Sequence, residues 1–280
     1  MLPAMSRRFR NTIFCLFAVM VPEGVLGNPL IIESNPVLKE VQNTEEYFPD
    51  GIGSVWRYTG RSRTETIERI ADVTFTNEVS AIGTTNIKGE TVKIFRETNQ
   101  GNKGPTDGYF RRDASGITYY GSQPTTPFEQ HLVPYRVLKF PLELHGSYQQ
   151  LSKKNVDMQT DMDGDGHFER ADVTANAQVV GYESITVGAG TFSDALRIDA
   201  VMTITVTLSK TRHLVVSTDT ISSWFVRGIG LVKYVERVEA PPLLETRGEV
   251  THLSEELDSY SLKGQAGLLS APFPYPPSSY

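Results

Sequence analysis

Cysteine is all but missing: the 280 residues hold one, Cys15, inside an apolar run near the N-terminus. With no second thiol there is no disulfide framework, no paired-cysteine metal site and no redox couple. No small residue directly precedes Cys15, which argues against lipid attachment there. Histidine is scarce too. His131, His145, His167, His213 and His252 show no ligand spacing, and no H-E-x-x-H, G-x-S-x-G or phosphate-loop pattern occurs. Helix signals are few, with residues 254–257 (SEEL) suggesting one short terminal turn. Basic charge is in deficit. The formal net charge is −6, which argues against nucleic acid or an anionic membrane as partner, because either demands a basic surface.

The N-terminus reads as a targeting segment. Arg7, Arg8 and Arg10 precede an apolar run at 12–21 (TIFCLFAVMV) that is far too short to span a bilayer, and Val25-Leu26-Gly27 suits cleavage. A secretory signal peptide over 1–27 is expected, placing the protein in the periplasm or outside the cell, with no transmembrane segment in the mature chain. Its removal turns 27 basic and 33 acidic residues into 24 and 32, a mature balance of −8. Residues 28–46 read as a linker, 47–262 as one β-domain, and 263–280, ending PFPYPPSSY, as a disordered proline-rich tail.

What the chain does have is strand pattern. Apolar residues alternate through 192–208, where Leu196, Ile198, Ala200, Met202, Ile204, Val206 and Leu208 share one face. A strand that long, against the usual ~3–10 residues, suggests a tall curved sheet. Further strands are expected at 55–63, 67–76, 79–84, 91–97, 173–187, 212–220, 222–227, 231–238 and 249–253. Turn residues separate them, Asn77 and the Gly188-Ala189-Gly190 and Gly228-Ile229-Gly230 elements among them. The proline-punctuated stretch 123–134 reads as a crossing loop. The fold class expected is mainly β, an antiparallel half-barrel or barrel with few helices.

Ligand chemistry is written most plainly at 161–172, DMDGDGHFERAD. Asp161, Asp163, Asp165, His167, Glu169 and Asp172 occupy positions 1, 3, 5, 7, 9 and 12 of a calcium loop, with Gly166 at the sharp turn. Ca²⁺ takes six to eight hard oxygens at about 2.3–2.6 Å, and alternating Asp residues converge only if the backbone coils tightly. His167 would ligate through its carbonyl, and Phe168 would anchor the loop to a core. Asp172 is a methylene shorter than the usual Glu, and β-branched residues follow it where a helix should begin. The stretch resembles an EF-hand calcium loop without its helices, set between strands as a brace rather than a sensor. The alternative is a solvated acidic turn, in which five carboxylates within twelve residues would repel one another.

Three further motifs carry a resemblance. They are Tyr47-Phe48-Pro49 with Gly53, Trp56 and Tyr58; Val187-Gly188-Ala189-Gly190-Thr191-Phe192; and Trp224-Phe225-Val226-Arg227-Gly228-Ile229-Gly230-Leu231-Val232-Lys233. Together they resemble a broad group of bacterial extracytoplasmic proteins of unknown function. That resemblance implies a curved antiparallel sheet of the open-barrel kind, able to hold an apolar ligand, and it supplies no catalytic residues.

The favoured expectation is therefore a secreted, non-enzymatic, calcium-binding β-protein with an apolar small molecule or envelope component as partner. A secreted hydrolase would instead need two carboxylates facing each other on the concave sheet, Asp194 and Asp199 being one candidate pair. A purely structural envelope protein is the third reading. Trp56, Tyr58, Tyr119, Tyr120 and Trp224 fit a β-core better than a carbohydrate site.

Overall fold

The computed structural model describes residues 39–98, 105–242 and 248–263. The expected signal segment, the first part of the expected linker and the proline-rich tail beyond Lys263 lie outside the described residues. The chain forms β1 (Val55–Glu65), β2 (Ile70–Ile87), β3 (Glu90–Glu97), β4 (Thr106–Asp113), β5 (Gly116–Gln123), β6 (Tyr135–Lys139), β7 (Ser147–Asp157), β8 (Arg170–Val187), β9 (Gly190–Thr207), β10 (Leu214–Val226), β11 (Gly230–Ala240) and β12 (Glu249–Ser261). Among the described residues one α-helix, α1 (Pro127–Leu132), joins β5 to β6.

All strands pair antiparallel in one sheet of order β6-β5-β4-β3-β2-β1-β12-β11-β10-β9-β8-β7. Twist accumulated over twelve strands brings the two edges, β6 and β7, back together into a nearly closed barrel. Side chains rather than a ladder bridge the seam. The Tyr148 hydroxyl and the Gln150 carboxamide on β7 both donate to the Val137 carbonyl on β6, at 2.9 and 2.8 Å. The expected antiparallel, barrel-like β-fold is thus the fold the chain adopts.

Inward residues follow the period of two. β8 points Ala171, Val173, Ala175, Ala177 and Val179 inside, and β9 adds Ile198, Ala200, Met202, Ile204 and Val206, all buried. Across the barrel an aromatic row fills the interior. Phe95 meets Phe110 at 5.6 Å between ring centres, Phe110 meets Tyr119 at 5.1 Å, and Tyr119 meets Tyr135 at 5.3 Å. Such pairs add about 0.5–1.5 kcal/mol each beyond the area they bury.

The ends of the barrel differ. At the lower end, where β1 begins and the β10–β11 turn lies, the first and third of the motifs meet as a brace. The Trp56 indole donates to the Ile229 carbonyl at 2.6 Å, and the Tyr58 hydroxyl donates to Leu231 O at 3.0 Å. Gly228 and Gly230 hold φ of 77° and 97°, which lets the turn tuck against Pro49 and Trp56. Ala189, at the tip of the β8–β9 hairpin, donates its N–H to Leu257 O at 2.7 Å. The upper end carries the β7–β8 loop, the β9–β10 turn and α1.

Four expectations are corrected. Asn77, read as a turn, sits buried in the middle of a continuous 18-residue β2. Residues 254–257, read as a helical turn, lie within β12, because pairing to both β1 and β11 outweighs local helix propensity. The domain starts earlier than residue 47: Val41 is buried and its N–H donates to Leu142 O at 2.8 Å, while Lys39 O accepts from Leu144 at 2.8 Å. The crossing stretch 123–134 contains α1, capped by the Thr126 side chain accepting from the Glu129 N–H.

Candidate metal centre

The loop between β7 and β8 is pinned at its neck. The Met158 N–H donates to Glu169 O and the Glu169 N–H donates to Thr160 O, both at 3.1 Å, so the ladder of the hairpin continues two steps past its strands. Within the neck the backbone coils through Gly164 and Gly166, at φ of 73° and 88°. The Asp161 carboxylate organises that coil: Oδ1 accepts from the N–H of Gly164 at 2.7 Å and Oδ2 from Gly166 at 2.9 Å. The tight coiling expected of a calcium loop is therefore present between strands.

Three carboxylates converge. Asp161, Asp163 and Glu169 each bring an oxygen within 4.8 Å of the other two. Glu169 is completely buried and Asp163 is 5 % exposed. Glu169 Oε2 accepts from the Met162 N–H at 2.6 Å, and Asp163 Oδ2 accepts from the Lys210 N–H at 3.0 Å. Asp163 Oδ1 is buried with no hydrogen-bond partner among the described residues. A buried acceptor of this kind is costly unless something fills its coordination. Burial, reinforced by the neighbouring Asp163 and Asp161 charges, pushes the Glu169 carboxyl above the usual carboxylate range, against the Met162 N–H that holds it down.

The other loop residues stand differently. Asp165 lies beside the cluster, its Oδ2 accepting from the Ser209 hydroxyl at 2.8 Å and its Oδ1 from the His167 N–H at 2.9 Å. That hydroxyl contact, then the His167 backbone, hold its pKa low. The His167 ring is exposed, with Nδ1 3.3 Å from Asp165 Oδ1. Asp172 does not join: it is on β8, where its Oδ2 lies 2.7 Å from Lys154 Nζ and its Oδ1 accepts from the Asn155 N–H at 2.9 Å. Its pKa is lowered by Lys154 first and by Asn155 next. Phe168, expected to anchor the loop, is 57 % exposed. Met158, buried, and Met162, packed on the core, take the anchoring role instead.

Spacing within the loop could not reveal the rest of the centre. Ser209 and Lys210 come from the β9–β10 turn, and Ser209 Oγ also lies 3.5 Å from Glu169 Oε1. They reach the loop because β8, β9 and β10 are adjacent and all turn at the upper end. On the other side, Gln159 Nε2 lies 3.0 Å from His131 Nε2 of α1, tying the loop to the helix beside the barrel end.

A second group of acids lies inside the barrel, and no sequence pattern marks it. Glu97, Asp219, Glu236 and Glu255 are all buried. Burial, then the Glu255 charge, pushes Glu97 well above the usual range, and burial, then Glu236, does the same to Asp219. Glu255 is raised to about 7 by burial, against a lowering hydrogen bond from Asn77. The pair named from sequence is not formed in this way. Asp199 is engaged by Arg197 through two contacts of 2.7 and 2.8 Å, and Asp194 is exposed. Of the aromatics, Trp56, Tyr58 and Tyr119 belong to the core. Trp224 packs at its edge, donating to Glu183 at 2.8 Å and facing Arg197 and Lys233 across its ring. Among the described residues no helix is long and apolar enough to cross a membrane.

No family model matches the chain, and no curated protein matches it. Two solved structures are similar to it. One is a candidate lipoprotein from Parabacteroides distasonis, 12 % identical, with TM-score 0.35, covering 77 % of this chain and 98 % of its own. The other is a candidate exported protein with a YmcC-like fold from Bacteroides fragilis, 10 % identical, with TM-score 0.35 and the same two coverages. Neither likeness is close enough to transfer a residue or a role.

Proposed function

We propose that the chain is an extracytoplasmic, non-enzymatic β-barrel protein that holds one Ca²⁺ in the β7–β8 loop. The observation that carries this reading is the convergence of Asp161, Asp163 and Glu169, together with a buried Asp163 oxygen that has no donor among the described residues. Asp161 and Asp163 keep the first and third positions of the calcium loop. Glu169 is the third carboxylate in place of Asp172, and Asp165 and Ser209 stand next to the centre. All the donors are hard oxygens, and a site of this kind suits Ca²⁺ over a softer metal. The ion would neutralise charges that otherwise repel, and so clamp the loop to the β9–β10 turn. The extracytoplasmic location rests on the basic-then-apolar pattern of residues 1–27.

Thermal unfolding of the mature chain tests the reading. Calcium at one hundred times its dissociation constant stabilises by about 2.7 kcal/mol, which is a rise of roughly 5–11 °C for a domain of this size. Millimolar Ca²⁺ should produce such a rise and EDTA should reverse it. An unchanged midpoint at millimolar calcium removes the proposal.

A further inference from the structure

The exposed apolar side chains of the barrel gather at one end. Six of the nine large ones among the described residues, Ile67, Ile70, Val73, Phe168, Leu214 and Val216, stand at the upper end. Ile67 lies in the turn from β1 to β2, Ile70 and Val73 near the start of β2, Phe168 in the β7–β8 loop, and Leu214 and Val216 near the start of β10. Ile67 is 75 % exposed and Leu214 57 %. Single exposed apolar residues are ordinary, but a group of them on neighbouring turns marks a surface that meets something apolar. Strands β2, β1, β12, β11, β10, β9 and β8 follow one another in the sheet. At ~4.8 Å per strand, the three turns therefore share an arc of roughly 30 Å along the rim.

The β9–β10 hairpin shows what this surface fits. Residues 200–218 contain Lys210, Arg212 and His213 and no acid. The Lys210 and Arg212 side chains are exposed and make no ion pair or hydrogen bond among the described residues. Other upper-end cations, Arg61, Arg63 and Lys154, are each matched to a carboxylate. Arg212 holds φ of 59°, a left-handed turn position that favours glycine, so a long cationic side chain is carried there at a backbone cost. The outward face of the hairpin is uncharged, with Leu214 paired to Thr207, Val216 to Thr205 and Thr218 to Thr203. Long cationic side chains beside apolar ones complement a bilayer surface, because they reach phosphates while their apolar neighbours enter the boundary beneath.

We propose that the upper rim docks on the surface of an anionic phospholipid bilayer. Ile67, Phe168 and Leu214 enter the headgroup boundary, and Lys210 and Arg212 pair with lipid phosphates. The net charge of the whole chain opposes such a partner, but charges farther away than about 8–10 Å are screened at physiological salt, so the groups at the contact decide. The carboxylates of the β7–β8 loop are largely engaged: Asp163 and Glu169 are buried, and Asp161 and Asp165 accept hydrogen bonds within the loop and from Ser209. At the β1–β2 turn Glu68 is followed by Arg69. The inference does not need a bound calcium ion.

Sedimentation of the mature chain with vesicles, in EDTA, tests it. Binding is expected to phosphatidylcholine vesicles that contain phosphatidylglycerol, with little to phosphatidylcholine alone. Lys210→Gln/Arg212→Gln should bind roughly thirtyfold more weakly, about fivefold for each charge removed. Ile67→Ser/Leu214→Ser should bind about tenfold more weakly or worse. All four positions are exposed, so the variants should fold, and their thermal midpoints check this. If a double variant does not fold, Arg212→Gln or Leu214→Ser alone is held to a loss of about fivefold. No binding to the mixed vesicles, equal binding to both kinds, or undiminished binding in either variant overturns the proposal. Self-association of the lipid-free chain that Ile67→Ser/Leu214→Ser abolishes, with no vesicle binding, assigns the rim to a second copy and overturns it too. Vesicle binding is read in EDTA and calcium stabilisation without vesicles, so either reading can fail alone.

Discussion

Lys154 reaches across the β7–β8 hairpin to Asp172, placing its Nζ 2.7 Å from Oδ2. This pairing takes the twelfth loop position out of the carboxylate cluster and leaves Glu169 as the buried third carboxylate. Asp172→Asn should therefore leave the calcium-induced rise in melting temperature nearly unchanged, because its partners are an exposed lysine and a backbone N–H. Glu169→Gln should abolish the rise. Differential scanning fluorimetry with and without calcium checks both, and the reverse ranking would show that Asp172 is the ligand.

Stability should fall as pH rises through neutrality. The Glu255 carboxyl moves from an ordinary 4.5 to about 7 on folding, so the folded chain binds this proton more tightly than the unfolded chain. Its contribution, about 3 kcal/mol at full expression, is complete below about 4.5 and lost as pH passes about 7. Glu97 and Asp219 shift in the same direction. Urea midpoints in EDTA should be higher at pH 5.5 than at pH 8 for wild type, with a smaller difference for Glu255→Gln. Identical pH profiles for the two proteins would contradict this account.

Trp56→Phe should weaken the lower end of the barrel. The substitution strands the Ile229 carbonyl, which now accepts the indole N–H at 2.6 Å, and leaves space in a core where Trp56 is 4 % exposed. A loss of about 1–3 kcal/mol is expected from the hydrogen bond alone, read as a lower urea midpoint with unchanged slope. Calcium stabilisation should persist, since the loop is at the opposite end.

Gly116→Ala should be more damaging. Gly116 holds φ of 134°, and an added Cβ would lie 1.9 Å from the Leu138 carbonyl oxygen on β6. Backbone on both sides leaves no side chain to move aside, so β5 and β6 must separate near the seam. A loss above about 3 kcal/mol is expected, and poor recovery of folded protein would be its first sign. Wild-type stability in this variant would mean that the β5–β6 edge is freely adjustable.

Residue alternation by itself determined the fold class. Apolar residues at every second position from Leu196 to Val206 bury only in a strand, and a strand of that length has to belong to a curved sheet. The tight coil of the acidic loop was equally legible, because Asp161 and Gly166 act through local backbone geometry. Tertiary structure decided what depends on residues far apart in the chain. Asn77 looks like a turn until β1 pairs with it at Tyr58, and residues 254–257 look helical until β1 and β11 pair with that stretch. Lys154 drew Asp172 away from the loop, while the β9–β10 turn brought Ser209 and Lys210 to it. Glu97, Asp219, Glu236 and Glu255 share no spacing in sequence. They come as two pairs, Glu97 with Glu255 and Asp219 with Glu236, because antiparallel registers put distant positions on one inner face.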